Sequence, residues 1–187
     1  MKTVEDMKIN DKVEFRRHIL FASVAFAAGL SGAGWAWWRS TPQPGLPPEV
    51  QAFWGMGFEK PEGGELSMQA FKGRPLLVNF WATWCPPCIE ELPLLESIWI
   101  KNGPKILQVL GLAVDQPSSV RKFLVQQPLT FPMGLAGLNG TELGRSLGNS
   151  VNALPYSVLF NADGRIIAQK MGKLEAVDLA EWLKNLT

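Results

Sequence analysis

The chain has two cysteines, one histidine and one tyrosine, and each scarcity closes off some chemistry. A structural zinc site takes four ligands from Cys, His or carboxylate, and iron–sulfur clusters are generally held by four thiolates. One chain with two thiols supplies neither, and its only imidazole, His18, lies far in sequence from Cys85 and Cys88. A cysteine nucleophile activated by histidine lacks its base for the same reason. An excess of one charge is also missing. The formal net charge is +1, and beyond Ser40 the Lys and Arg residues form no basic cluster of the kind a nucleic-acid-binding face requires. No internal repeat is present, and no cofactor is implied. For Cys85-Pro86-Pro87-Cys88 there remain dithiol chemistry and an inert pair.

Uncharged sequence is abundant in one place, from Ile19 to Trp38. About 20 apolar residues suffice to cross the hydrocarbon core of a bilayer. Lys8, Lys12, Arg16 and Arg17 precede this stretch, whereas after it come Arg39 and then nothing basic until Lys60. The positive-inside rule then places the N-terminus in the cytoplasm and the remainder outside it, with Trp35, Trp37 and Trp38 at the far interface. The expected organisation is a cytoplasmic tail (1–18), a single-pass anchor in the inner membrane (19–38), a proline-rich spacer (39–52) and a periplasmic or otherwise extracytoplasmic domain (53–187). A cleaved signal peptide, processed near Ser31 to Ala33, is the main alternative. The paired Arg16 and Arg17 hint at twin-arginine export.

Within the domain, strand-like and helix-like segments alternate. Leu76 to Ala82 and Ile106 to Val114 read as buried strands. A helix is expected from Pro86 to about Ile100, with Ile89, Leu92, Leu95 and Trp99 on its apolar stripe and a kink at Pro93. Ser118 to Gln127 reads as a second helix capped by Ser118, and Thr141 to Leu147 as a short one. Tyr156 to Phe160 and Arg165 to Lys170 are strands joined around Asn161-Ala162-Asp163-Gly164, a hairpin signal. Glu175 to Leu186 closes the chain as an amphipathic helix. The order β–α–β–α–(α)–β–β–α implies a mixed sheet flanked by helices.

Cys85 falls after a strand and at the start of a helix. Unpaired N–H groups and the positive end of the macrodipole stabilise a thiolate there, and a lowered thiol pKa makes a good nucleophile. Cys88, one turn further in, is placed to attack the resulting mixed disulfide. The alternative is a structural disulfide, but closing so short a loop restricts the unfolded chain little, and a domain of this size forms a core without a staple.

Phe80-Trp81-Ala82-Thr83-Trp84-Cys85-Pro86-Pro87-Cys88, followed by Glu91-Leu92-Pro93, resembles the active-site segment of the thioredoxin superfamily. More narrowly it resembles the membrane-anchored TlpA/ResA/CcmG-like branch, over about Phe53 to Thr187. The resemblance implies a thioredoxin-like α/β fold and a protein thiol:disulfide oxidoreductase whose catalytic cysteines are Cys85 and Cys88. It implies a cis Leu154–Pro155 bond facing the cysteines, with the backbone near Leu154 open to an extended substrate segment. Glu91 would relay protons and tune the thiols. Trp84, with Pro86 and Pro87, would form a docking surface, while Trp81 packs beneath. The implied partners are proteins with disulfides or thiols and a membrane electron donor of the DsbD/CcdA type, and apocytochrome c or copper-delivery proteins are familiar substrates of that branch. Two departures stand out. Asn79 takes the place of the buried aspartate of thioredoxins, and Ala153 stands where relatives often have glycine. Two other functions stay open. A peroxiredoxin-like peroxidase would want a Thr-x-x-Cys context with a nearby arginine. A non-catalytic copper(I) chaperone or partner-binding module would use the same thiols, with Met133 and Met171 in reserve.

Overall fold

The computed structural model describes residues 45–184 and 186. The expected tail, the anchor over 19–38 and residues 39–44 of the spacer lie outside the described residues. Among the described residues no helix is long and apolar enough to cross a membrane.

The chain enters through helix α1 (Pro48–Trp54), with Pro48 at its first position, where a missing N–H costs nothing. Val50, Phe53 and Trp54 are buried, Phe53 stacks on Phe160 at 5.2 Å, and the Trp54 indole N–H donates to Gly164 O at 2.9 Å. The folded body therefore starts before the expected boundary at Phe53, and the last part of the expected spacer is helix. Strands β1 (Gly57–Glu59) and β2 (Glu65–Ser67) form a small hairpin, followed by a 3-10 turn (Met68–Phe71). Then come β3 (Leu76–Trp81), helix α2 (Pro86–Ile106), β4 (Gln108–Ala113), helix α3 (Pro117–Gln126) and β5 (Met133–Leu135). Helix α4 (Gly140–Ser146), the hairpin of β6 (Tyr156–Phe160) and β7 (Ile166–Met171), and helix α5 (Ala176–Lys184) complete the order.

The strands described form one sheet in the order β2-β1-β5-β4-β3-β6-β7. Strands β3, β4 and β5 run parallel, and β6 lies antiparallel to β3 with Asn79 opposite Ser157. Every residue of β3 and β4 is buried, as expected of strands covered on both faces. Side chains alternate across the sheet. Leu76, Val78 and Phe80 join α1, Tyr156 and Phe160 in one core. Leu77 and Trp81 join Leu92, Leu95 and both cysteines in the other. The mixed sheet with flanking helices is the expected thioredoxin-like architecture.

Two local expectations give way, and three short strands have no counterpart among the expected elements. Only Gly103 leaves helical dihedrals inside α2, at φ 60° and ψ 172°, so the break falls at the residue that tolerates positive φ and not at Pro93. Helix α3 begins at Pro117 after Gln116, with no side-chain cap, so Ser118 is not its cap. Strands β1, β2 and β5, each three residues long, are too short to leave a period in the sequence.

Candidate active site

Parallel strands β3 and β4 end side by side, and the site is built on their carboxyl ends. After Trp81 the chain turns through Ala82, Thr83 and Trp84, closed by Cys85 N–H donating to Ala82 O at 3.2 Å. Asp115, two residues past the end of β4 at Ala113, holds that turn. Its Oδ2 accepts from Thr83 N (2.9 Å) and Thr83 Oγ1 (2.5 Å), and its Oδ1 accepts from Gln116 N (2.6 Å). Nothing in the residue pattern singled Asp115 out. The available signal was its position, an acid just beyond a buried strand parallel to the one carrying the cysteines.

Cys85 is the N-cap of α2, and its sulfur is bonded to that of Cys88 at 2.05 Å. Cys85 is 4% exposed and Cys88 0%, so Cys88 is the deeper of the two. The helix mouth is poorer in donors than its position suggests. Pro86 and Pro87 carry no N–H, and the Cys88 and Ile89 N–H groups donate to Cys85 O at 3.1 and 3.2 Å. No side-chain cap bond forms at Cys85. What is left to favour a thiolate is the dipole of the helix.

Glu91 lies three residues beyond Cys88, on the same side of α2, and is fully buried. Its Oε1 accepts from Asn79 Nδ2 at 2.6 Å, and its Oε2 accepts from Leu174 N at 2.6 Å. Desolvation pushes its carboxyl up to about 7, against the opposing pull of those two hydrogen bonds and of Lys173 and Lys170. A carboxyl so poised accepts and returns a proton near neutrality. Asn79 Nδ2 also donates to Ser157 Oγ at 2.9 Å.

The Leu154–Pro155 peptide bond is cis, and Leu154 packs on the cluster that contains both cysteines. On its N-terminal side Asn149 brackets Ala153, accepting from its N–H at 2.9 Å and donating to its carbonyl at 2.8 Å. On its C-terminal side Gly172 N–H donates to Pro155 O at 2.8 Å. The sequence reading missed Asn149 and the Gly172–Leu174 segment, whose bonds to Pro155 and Glu91 span long stretches of chain. Trp84 is 66% exposed beside exposed Pro86 and Pro87. Trp81 is buried and packs on Phe123 at 5.2 Å. Tyr156 donates its hydroxyl to Leu147 O at 2.7 Å, and burial raises its pKa to about 12. Of the two reserve methionines, Met133 is buried, packed against Gly111 on β4, and Met171 is half-exposed at the end of β7. Among the described residues no group of three or more His, Cys, Asp or Glu is arranged to hold a metal ion.

Residues 48–182 match the redoxin family. The thiol-disulfide oxidoreductase ResA of Bacillus thuringiensis subsp. konkukian (strain 97-27) is 33% identical over 127 residues, covering 67% of this chain and 71% of ResA. The sporulation thiol-disulfide oxidoreductase A of Bacillus subtilis (strain 168) is 32% identical over 128 residues, covering 66% of this chain and 74% of that protein. The crystal structure of StoA from Bacillus subtilis superposes with a TM-score of 0.56 at 28% identity, covering 68% of this chain and 94% of StoA. With a close cysteine pair at the mouth of α2 on a thioredoxin-like sheet, the chain belongs to the redoxin family, among its ResA- and StoA-like thiol-disulfide oxidoreductases.

Proposed function

We propose that this enzyme is a membrane-tethered reductase of protein disulfides that works outside the cytoplasm. The observation that carries the reading is Glu91, a buried carboxyl poised near neutrality one turn beyond the buried Cys88. In the reduced enzyme the Cys85 thiolate attacks one sulfur of a substrate disulfide. A Cys85–substrate bond forms, and the other substrate sulfur leaves as a thiolate that takes a proton. The Cys88 thiol passes its proton to Glu91, and the thiolate so formed attacks Cys85 Sγ. The enzyme disulfide closes, as in the form described here, and the second substrate thiolate departs and is protonated as Glu91 gives its proton back. A membrane donor of the DsbD/CcdA type returns two electrons and two protons.

Trp84, Pro86, Pro87 and Leu154 form the docking surface around Cys85, with Pro155 beside it. The uncharged run 19–38, with Lys8, Lys12, Arg16 and Arg17 before it, supports an uncleaved anchor with the domain on the periplasmic or extracytoplasmic side. The proline-rich spacer then ends where α1 begins. Apocytochrome c before haem attachment and copper-delivery proteins are the substrates proposed from the resemblance. The deciding experiment traps mixed disulfides in cells with Cys88→Ser and identifies the attached proteins. Capture is expected to vanish when Cys85→Ser is added, and capture that persists without Cys85 overturns its assignment as nucleophile.

A further inference from the structure

The amide of Asn79 sits between two groups that can each reverse their hydrogen-bonding sense. On one side is the Glu91 carboxyl, an acceptor when ionised and a donor when protonated; on the other is the Ser157 hydroxyl, a rotor that donates or accepts. Asn79 is fully buried on β3, with Nδ2 at 2.6 Å from Glu91 Oε1 and 2.9 Å from Ser157 Oγ. Both amide donors are thus spent on these neighbours, while Oδ1 finds no partner. That arrangement fits an ionised Glu91. Once Oε1 carries a proton, an NH2 group facing it is the wrong partner, and a carbonyl oxygen is the right one.

We propose that Asn79 is the positioning residue for Glu91 and that its amide turns over with the proton Glu91 carries. In the turned state Oδ1 accepts from the Glu91 O–H and from the Ser157 hydroxyl, and Nδ2 moves to the place that Oδ1 held. One amide atom is unpaired in either orientation, so the turn exchanges a matched set of bonds for another matched set. The other partner of Glu91 is indifferent to the change, because Leu174 N–H donates to Oε2, which is an acceptor in both states. The substitution of an amide for the aspartate of thioredoxins thereby acquires a use. Asn79 cannot take the proton, but it follows it.

The ionic surroundings leave this pair to set the response. From the segment after β7, Lys173 reaches Glu90 at 2.9 Å and Glu175 at 3.8 Å. On β7, Lys170 is paired with Asp178 of α5. Strands β3 and β6 bring only Asn79 and Ser157, and α2 itself brings Cys88. Both lysines favour the ionised carboxyl from a distance, and the direct contacts are the amide and the Leu174 N–H.

The inference rests on the proposed proton role of Glu91, so the test separates the two. With the full-length enzyme in detergent, thiol–disulfide exchange is followed from pH 5 to 9 for the parent, Glu91→Gln and Asn79→Leu, together with the 15N shift of the Asn79 side-chain amide. The parent amide is expected to move with a midpoint near that of the rate profile, and to stay flat in Glu91→Gln. Asn79→Leu removes a charge-assisted bond from the carboxylate and a weaker neutral bond from the acid, so its rate midpoint is expected about one pH unit higher, with roughly tenfold slower exchange at pH 6.5 that is regained at pH 9. Asn79→Asp, closer in shape, covers a leucine variant that does not fold, and is also expected to raise the midpoint by adding a second carboxyl. A Glu91→Gln profile identical to the parent's overturns the role of Glu91. A Glu91 step that remains while the amide shift is flat, or an unshifted midpoint in Asn79→Leu and Asn79→Asp, overturns the role of Asn79 alone.

Discussion

At the scale of single residues, Pro87 limits what the helix can do for Cys85. An N-cap side chain ordinarily accepts from the N–H two or three residues on. Here the first of these is Pro87 and the second, Cys88 N–H, is spent on Cys85 O. Pro87→Ala restores one donor toward the sulfur. A hydrogen bond to a charged group contributes about 1.5–3 kcal/mol, and 30 mV corresponds to about 1.4 kcal/mol for a two-electron couple. The variant is therefore expected to have a more acidic Cys85 thiol and a reduction potential roughly 30–60 mV higher, read by equilibration against a dithiothreitol couple. An unchanged potential would show that the sulfur was not short of donors. Glu91 contributes in the opposite sense to stability. Its pKa is about 7 in the fold against 4.5 as the ordinary value, so between those pH values the native state binds the extra proton. Its contribution is fully present below pH 4.5 and lost as pH rises through about 7. The loss is about 3 kcal/mol at 1.36 kcal/mol per pH unit. Glu91→Gln should unfold in urea much like the parent at pH 4.5 and at distinctly higher urea at pH 8.

At the scale of elements, the site depends on how loops are fastened to strand ends. Asp115 ties the end of β4 to the turn that carries Trp84 and Cys85, through bonds to Thr83 and Gln116. Asp115→Ala strands these donors near a buried position. Unfolding measurements should show a loss of about 2–3 kcal/mol, and exchange with a protein disulfide should slow more than exchange with a small one, since the Trp84 surface loses its footing. Asp115→Asn, which keeps an acceptor for Thr83, should recover much of both. This element shows why the sequence is only partly readable. The cysteine motif, the strand before it and the turn at Asn161 to Gly164 are local, each written within a few neighbouring residues. Asp115 acts on Thr83, Gly172 on Pro155 at the cis bond, and Leu174 on Glu91, through contacts that only the folded chain creates. Helix α1 was hidden for another reason. Its prolines, Pro47 and Pro48, read as a continuation of the spacer, and what makes it part of the domain is Phe53 and Trp54 meeting Phe160 and Gly164 from the other end of the chain.

At the scale of the whole described domain, the two cores share β3, and the cysteines belong to only one of them. The Cys85–Cys88 disulfide closes too short a loop to restrict the unfolded chain much. Any difference in stability between oxidised and reduced protein therefore measures how far the fold itself prefers one state. The cycle is closed: the free energy by which folding favours the disulfide equals that by which the disulfide favours the fold. A potential below that of the same Cys-Pro-Pro-Cys segment in an unfolded chain means that the fold prefers the disulfide, and the lower it lies the more substrate disulfides the protein can reduce. The reductase reading is therefore expected to go with an oxidised protein that is the more stable form. A potential 60 mV below the unfolded segment's corresponds to about 2.8 kcal/mol. At neutral pH the oxidised form should then need more urea to unfold than the form kept reduced, and the gap should match the potential measured independently. The reverse order, with the dithiol form more stable, would place the potential above the unfolded segment's and favour the making of disulfides in its partners over their reduction.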